Sequence, residues 1–593
     1  MSKYSVYGEL PYDEAEAPKK TEYECDVLVV GGGYAGLCAA VTASKAGMSV
    51  VLVDKGRPGY SGQSPHVCCT RWFDPDMGDE RETVEKLYYH DAEYMANRNW
   101  FQVWIEESKS VYELFAELGL TEQYPDANST GFAENDDFFG YRDLVGNRLR
   151  HKRFMPGLLK NGVTVVDRTM IYDVVEADGR VIGAVGFDVA SGTPMVFHAK
   201  ATVLCMGSGA YRPAGWPTGG TSFDAISIGY RHGLPIIGQE FEDYHSSKGD
   251  SPSNAWAKEA FPYLQNLMLN GGEERKENLD RLTGVSSAFA DCILEGGKPY
   301  QSDAPSWHPF LWQNSAPGDV RNNRVDTDEP KNQPGGCYGV APGFAVHTVS
   351  GIFCGCEDTH GYTGIPGLYC AGDGCNGGPV GGATYAGRTG FTSNFFGLQG
   401  KRSGEAACAY VKTSGLELQK ISEEKVRELT DEYTAPMRLT QGYDAVWALD
   451  CLQGIMTPFW TLLAKSEDRL NAALVNVCFM RDHIVPKVMA LNAHDLRNCT
   501  ELRHKVLQAE MKLRLSLQRR ESRGCHYRTD YPFRDDANFL CYFVAEQGAD
   551  GGMQIRRVDY PDAWKGDRSE PYLERYTSYF PGEKEAAQAH GLL

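Results

Sequence analysis

From Asp26 to Val30 the chain reads Asp-Val-Leu-Val-Val, a short apolar run that predicts a buried strand. A glycine turn follows at 31–36, then a helix of small residues over 37–46, then a second strand over 49–53 that ends at Asp54. This is a βαβ unit. The stretch from Val27 to Ser44 is uncharged over 18 residues, long enough to suggest a membrane span. Gly31, Gly32, Gly33 and Gly36 interrupt it and its opening is β-rich, so strand, turn and helix explain it better. Charged amphipathic sequence over 79–120 predicts helix. Residues 163–185 and 195–204 predict strands, with turns at Asp178-Gly179 and Ser191-Gly192.

Periodicity fades between about 240 and 345, where Trp256, Trp307 and Trp312 stand among turn residues, as an inserted domain with irregular loops would have it. Glycine returns over 351–404 and nearly vanishes over 422–520, where Leu, Ala, Lys, Arg and Glu recur at helical spacing. The shifts in pattern divide the chain into a surface arm (1–22), a nucleotide-binding part (23–240), a cap (241–345), the return of the nucleotide-binding part (346–415), a helical domain (416–520) and an extended tail rich in Tyr, Asp, Arg and Pro (521–593). The fold class is α/β, a Rossmann-like binding domain with an inserted capping domain and a C-terminal helical domain.

A length of 593 residues requires several domains. The formal charge of −20 repels phosphate backbones, which argues against nucleic acid as a partner. The 65 glycines exceed the ordinary share and have no period, which points to many close approaches of backbone to backbone or ligand. The 17 cysteines contain no CxxC pair and no export signal precedes them, so reduced thiols in a cytoplasmic setting are expected. Cys354-x-Cys356 and Cys370-x4-Cys375 are among the closest spacings, too sparse for a metal or iron–sulfur motif, so no metal is expected.

Gly31-Gly-Gly33-Tyr34-Ala35-Gly36 satisfies GxGxxG between a strand and a helix, and Asp54 stands where a carboxylate accepts ribose hydroxyls. Gly31 serves the tight turn, Gly33 the approach of a pyrophosphate to the helix N-terminus, and Gly36 the packing of helix on strand. NAD and FAD both fit this motif. The later Thr-Gly-Ile-Pro-Gly-Leu-Tyr-Cys-Ala-Gly-Asp over 363–373 resembles the second flavin-binding motif of FAD enzymes with the two-dinucleotide fold, in which the final aspartate, here Asp373, holds the ribityl chain. The glycine-rich 377–382 and the Gly382, Ala383, Thr384 that open the next segment would bring a helix N-terminus to the flavin pyrimidine.

With these motifs the chain resembles the fumarate reductase and succinate dehydrogenase flavoprotein family, which includes aspartate oxidase and the adenylylsulfate reductase alpha subunit. The resemblance extends to Ser61-Gly62-Gln63-Ser64, to Thr-Gly-Gly-Thr-Ser-Phe-Asp-Ala over 218–225, to the segment 240–249 around His245, and to Glu-Ser-Arg-Gly-Cys-His-Tyr-Arg-Thr-Asp-Tyr-Pro over 521–532. It implies FAD as cofactor, with Lys55, Gly207 and Asp224 as further contacts. In membrane-bound members a histidine after the second strand holds FAD covalently; the equivalent position here is Gln63, which implies non-covalent FAD. His245 falls where the family binds a substrate carboxylate, and His347 lies within one residue of a second substrate histidine.

The family's cap arginine, the proton donor, has no clear copy, and Arg281 and Arg324 are carried as candidates beside Arg275 and Arg321. The carboxylate-clamping arginine of dicarboxylate-reducing members is missing before Gly381-Gly382. Three readings stay open: a reductase passing hydride from flavin N5 to an activated double bond other than a C4 dicarboxylate, an adenylylsulfate-reductase-like subunit fed by an iron–sulfur or other electron-donor protein, and an electron-transfer scaffold. A small organic substrate and no membrane span complete the expectation.

Overall fold

The computed structural model describes residues 20–59, 61–64, 70–91, 93–119, 151–211, 220–241, 350–375, 391–462, 464–524, 526–567, 569–576, 579–580 and 582–593, with short strand segments elsewhere. The apolar run around Asp26 forms strand β1 (Thr21–Val30), the turn leads into helix α1 (Tyr34–Lys45), and strand β2 (Val50–Val53) lies parallel to β1. Thr164–Val166 extends the sheet beyond β2, and Pro194–Leu204 and then Leu368–Cys370 extend it beyond β1, all parallel. Val30 is level with both Val53 and Leu204, Val53 with Val166, and Leu204 with Cys370. The carboxyl ends of five strands therefore fall on one line, the place where open parallel sheets bind ligands.

Alternation along β1 explains why its pattern is a continuous apolar run. Val27 and Val29 face a core with α1, the helix Arg98–Glu117 and the helix Phe391–Ser414, while Leu28 and Val30 face a second core on the other side. The antiparallel pair Thr169–Ala177 and Arg180–Asp188 joins the first half of Pro194–Leu204. Its connection turns at Asp178 (φ +51°) and Gly179 (φ +74°), the predicted pair.

Among the described residues the region predicted as helical holds Glu423–Thr434, Ala445–Met456, Glu467–Phe479 and the 26-residue helix Ala493–Gln518. Ser422, Asp444 and Asn492 accept hydrogen bonds from the Lys425, Trp447 and Asp495 amides, so three of these helices start at capping side chains. The long helix is buried along most of its length, charges included. Its Lys505 donates to the carbonyls of Ala210 and Thr221, and Lys512 to that of Gln239 (2.7 Å), which fastens segments near the strand ends.

Residues 521–593 hold more regular structure than an extended tail. A hairpin of Cys541–Gln547 and Met553–Asp559 pairs with Ile236–Ile237, and Glu583–Ala589 is helical. The polar composition that suggested a tail is paired internally. Arg519 meets Glu240 and Glu521, Arg523 meets Glu521 and Asp536, and Arg534 meets Glu93 and Glu583, all buried except the part-exposed Asp536. No helix among the described residues is long and apolar enough to cross a membrane.

Candidate functional site

The strand ends open onto a cleft of about 910 Å³, open solvent at its mouth included. Its floor is the glycine turn. Gly31 sits at φ +109°, and a Cβ there would lie 2.1 Å from the Cys205 carbonyl oxygen; a Cβ on Gly36 would lie 1.7 Å from the Gly31 carbonyl oxygen. A Cβ on Gly33 would meet only Ser64 Oγ, at 3.0 Å. The outer glycines thus let turn, helix and sheet close on one another, whereas the middle one leaves room toward the cleft. Helix α1 begins at Tyr34 with Gly33 as its N-cap and no side-chain cap, so the polarity of its first turn serves the cleft, which Tyr34 and Ala35 also line.

Asp54, at the end of β2, accepts hydrogen bonds from the Gly32 amide (2.6 Å), the Gly56 amide (2.7 Å) and Ser61 Oγ (2.8 Å). It couples the glycine turn to the loop 61–64 and keeps lone pairs for a ribose hydroxyl. In that loop Ser64 Oγ accepts from the Tyr34 amide (3.2 Å), and Gly62 and Gln63 face the cleft. Gln63 Nε2 is buried with no hydrogen-bond partner among the described residues, and the same holds for Ser208 Oγ on the opposite wall.

Lys55 and Asp224 line the cleft, yet their charges are already matched. Lys55 Nζ contacts Asp224 (2.9 Å), Glu501 (3.1 Å) and Ser222 Oγ (2.5 Å). His504 Nδ1 lies 2.8 Å from Asp224. Burial pushes the Asp224 carboxyl up, but the Lys55 ammonium and the His504 hydrogen bond outweigh it and hold the group well below the usual carboxylate range. Burial holds His504 below its ordinary value, so it is neutral and donates from Nδ1 to Asp224.

On the far wall Gly207 and Asp373 complete the expected set. Asp373 lies on the turn Gly372–Gly374 just past the strand Leu368–Cys370, and the Gly372 amide donates to Gln399 Oε1 (3.0 Å), which fixes the turn. The cleft therefore brings together Gly31, Gly33, Tyr34, Ala35, Asp54, Lys55, Ser61, Gly62, Gln63, Ser64, Gly207, Asp224 and Asp373, with Gly36 behind the turn rather than in the wall. Thr221, from the motif over 218–225, also lines it, as do Ser208, Phe396, Thr169, Met170 and Ile171, which carry no motif. For Thr169, Met170 and Ile171 the one signal was indirect: a strand was predicted through 163–185, and the Thr169 amide donates to the Asp54 carbonyl (2.9 Å).

The two histidines stand on one ribbon. Asp243–His245 pairs antiparallel with Ala345–His347, with Asp243 opposite His347 and His245 opposite Ala345, so the histidines are two rungs apart although about a hundred residues separate them in sequence. Arg281, Arg324, Gly382, Ala383 and Thr384 lie outside the described residues.

A helix N-terminus at a glycine with room before it, a carboxylate at the end of β2, a second on the far wall, and two orphaned buried donors between them fit a dinucleotide such as FAD. The fold and cleft define a flavin-dependent oxidoreductase. Residues 26–244 match the FAD binding domain, and residues 464–571 match the fumarate reductase flavoprotein C-terminal domain. One component of the fumarate reductase (CoM/CoB) of Methanothermobacter marburgensis is 23% identical over 546 residues, 86% of this chain and 95% of that one. The fumarate reductase flavoprotein subunit of Escherichia coli is 25% identical over 593 residues, 91% and 94% of the two chains. The adenylylsulfate reductase structure from Archaeoglobus fulgidus superposes with a TM-score of 0.72 at 19% identity, covering 95% of this chain and 99% of that one. The chain belongs to the fumarate reductase/succinate dehydrogenase flavoprotein family and is an FAD-dependent oxidoreductase.

Proposed function

We propose that this oxidoreductase reduces an activated carbon–carbon double bond of an organic acceptor, and that the acceptor is not a C4 dicarboxylate. The observation that carries the reading is the ribbon that sets His245 and His347 two rungs apart at the entry to and exit from the segment 241–345. FAD supplies the hydride, from N5 of its reduced ring. Gly33 and the first turn of α1 hold the pyrophosphate, Asp54 the adenosine ribose and Asp373 the ribityl chain. Gln63 Nε2 and Ser208 Oγ donate to cofactor oxygens or nitrogens, and the amide of Gln63 offers no nucleophile for a covalent link, so FAD is held non-covalently. Lys55 and Asp224 act by shaping the wall, since each already has its counter-charge.

His245 and His347 bind and orient the acceptor, and a cap arginine, Arg281 or Arg324, delivers the proton to the carbon next to the one that accepts hydride. The acceptor's chemistry follows from a missing cation. A C4 dicarboxylate needs a positive group at each end, because an unpaired buried carboxylate costs several kcal/mol. The sequence Asn376-Gly-Gly-Pro-Val380 before Gly381 offers no arginine there. The test is His245→Ala: it should retain FAD and lose turnover of enoate acceptors by the reduced protein. Full turnover in that variant would overturn the assignment.

A second reading has a specific observation in its favour. Ala371-Gly-Asp-Gly374, together with the missing clamp, resembles the adenylylsulfate reductase branch, in which an iron–sulfur protein feeds the flavoprotein. The absorption spectrum of the native complex separates the two, since a co-purifying cluster adds broad absorption near the flavin bands.

A further inference from the structure

Three cysteines whose spacing suggested no motif meet in the fold. Cys370 ends the parallel strand Leu368–Cys370, Cys375 follows the turn Gly372–Gly374, and Cys354 lies two residues past Ile352, which bridges to Ile236. Cys370 Sγ lies 3.5 Å from Cys354 Sγ and 3.0 Å from Cys375 Sγ, and the three sulfurs all lie within 4.8 Å of one another. Cys370 and Cys375 are fully buried, and Cys354 is part exposed. Their backbones are fixed independently of the sulfurs. The Cys370 amide donates to the Gly361 carbonyl (2.8 Å), the Cys375 amide to that of Gly372 (2.9 Å), and the Ile352 amide to that of Gly374 (3.0 Å).

Thiols are weak hydrogen-bond donors and acceptors, so three of them facing one another stabilise little as S–H groups. The donor set is all sulfur, which selects a thiophilic ion and excludes magnesium and calcium, whose ligands are oxygens.

We propose that Cys354, Cys370 and Cys375 form a three-thiolate site for one zinc(II) ion. Tetrahedral zinc with bonds of about 2.3 Å sets its sulfurs about 3.8 Å apart. Two of the observed separations, 3.5 and 3.0 Å, are shorter than that value and the third is no longer than 4.8 Å, so the sulfurs reach tetrahedral spacing by shifts of about 1 Å or less. Solvent supplies the fourth ligand on the side where Cys354 is part exposed. Sequence spacing gave no sign of a metal because the ligands come from three segments, and only the return of Leu368–Cys370 to the sheet brings them together. Asp373 sits between two of the ligands, so the ion cross-links both ends of the turn that faces the cleft. This consequence rests on the flavin reading given above; the metal site itself does not.

The experiment measures zinc and FAD per chain, separately, in full-length protein purified without chelator, for the wild type, Cys354→Ser and a control outside the cluster, Cys451→Ser. Chelated wild type is then titrated with cobalt(II), whose ligand-field bands report tetrahedral thiolate coordination. About one zinc per chain is expected in the wild type and the control, with at least an about fivefold loss in Cys354→Ser and cobalt–thiolate bands that weaken in parallel. Equal zinc in Cys354→Ser overturns the proposal. So does zinc below about 0.2 per chain without cobalt–thiolate bands, iron with labile sulfide in place of zinc, or a Cys370–Cys375 disulfide in the native protein. Zinc retained in preparations without FAD keeps the site and removes only its link to Asp373.

Discussion

Gly31 and Gly33 lie two residues apart in one turn, and the geometry separates their roles sharply enough to test. In Gly31→Ala the new Cβ would sit 2.1 Å from the Cys205 carbonyl oxygen, at a backbone φ of +109°. The ends of β1 and Pro194–Leu204 must part by about 1 Å to restore ordinary contact, which strains the Cys205 amide bond to the Val30 carbonyl and the Gly31 amide bond to the Val53 carbonyl, each 2.7 Å. Each bond is worth about 1 kcal/mol and the left-handed backbone adds about 1 kcal/mol, so a loss of about 3 kcal/mol is expected with or without cofactor. In Gly33→Val the Cβ meets only the flexible Ser64 hydroxyl, at 3.0 Å, so the apoprotein should lose less than about 1 kcal/mol. The branched side chain instead fills the space proposed for the pyrophosphate. Losing two charge-assisted hydrogen bonds of about 1.5–3 kcal/mol each weakens FAD at least about a hundredfold. Urea melts of both apoproteins and equilibrium dialysis against FAD read the two effects. Full flavin occupancy in Gly33→Val, or equal destabilisation of both apoproteins, would refute the reasoning.

Acid precipitation should release yellow FAD into the supernatant, because Gln63 offers no linking atom; flavin fluorescence on the denatured protein band would contradict this. Arg534→Met should cost about 3–5 kcal/mol in urea melts, since it leaves the buried carboxylates of Glu93 and Glu583 unpaired. Stability should peak near pH 6.5. Burial and the neighbouring Lys465 and Arg528 hold His526 well below its usual value, and burial holds His504 below it. The unfolded chain protonates both near pH 6.5, so each removes up to about 1.4 kcal/mol per pH unit as the pH falls from there toward its own lowered folded value. Burial lowers His232 but Asp173 and Glu176 outweigh it, so its contribution is complete below about pH 6.5 and is lost as the pH rises through its raised folded value. Melts that are flat between about pH 5 and 6.5 would show that the buried histidines are not held neutral.

The βαβ unit was legible because each of its parts has a local cause: an apolar run, glycines at fixed offsets and an aspartate at a strand end. Asp373 was legible because its motif is also local. Lys55 and Asp224 line the cleft, but their neutralisation depends also on Glu501 and His504 from the helix Ala493–Gln518, hundreds of residues away in sequence. The walls at Thr169 and Phe396, the Arg534 network and the cysteine cluster arise from tertiary return of the chain, which no spacing records. The expectation of an extended tail on the body missed the hairpin of Cys541–Gln547 and Met553–Asp559 and the helix Glu583–Ala589 for the same reason, since the hairpin pairs with Ile236–Ile237, about three hundred residues away in sequence.

Reoxidation of the reduced flavin by different acceptors tests the central claim most directly. Stopped-flow mixing of chemically reduced protein with fumarate, urocanate, cinnamate-like enoates and sulfur acceptors should show slow reoxidation by fumarate and rapid, saturable reoxidation by a larger enoate. Rapid, saturable reoxidation by fumarate at micromolar concentration would contradict the account, and would mean that Arg388 or a cap arginine clamps the second carboxylate.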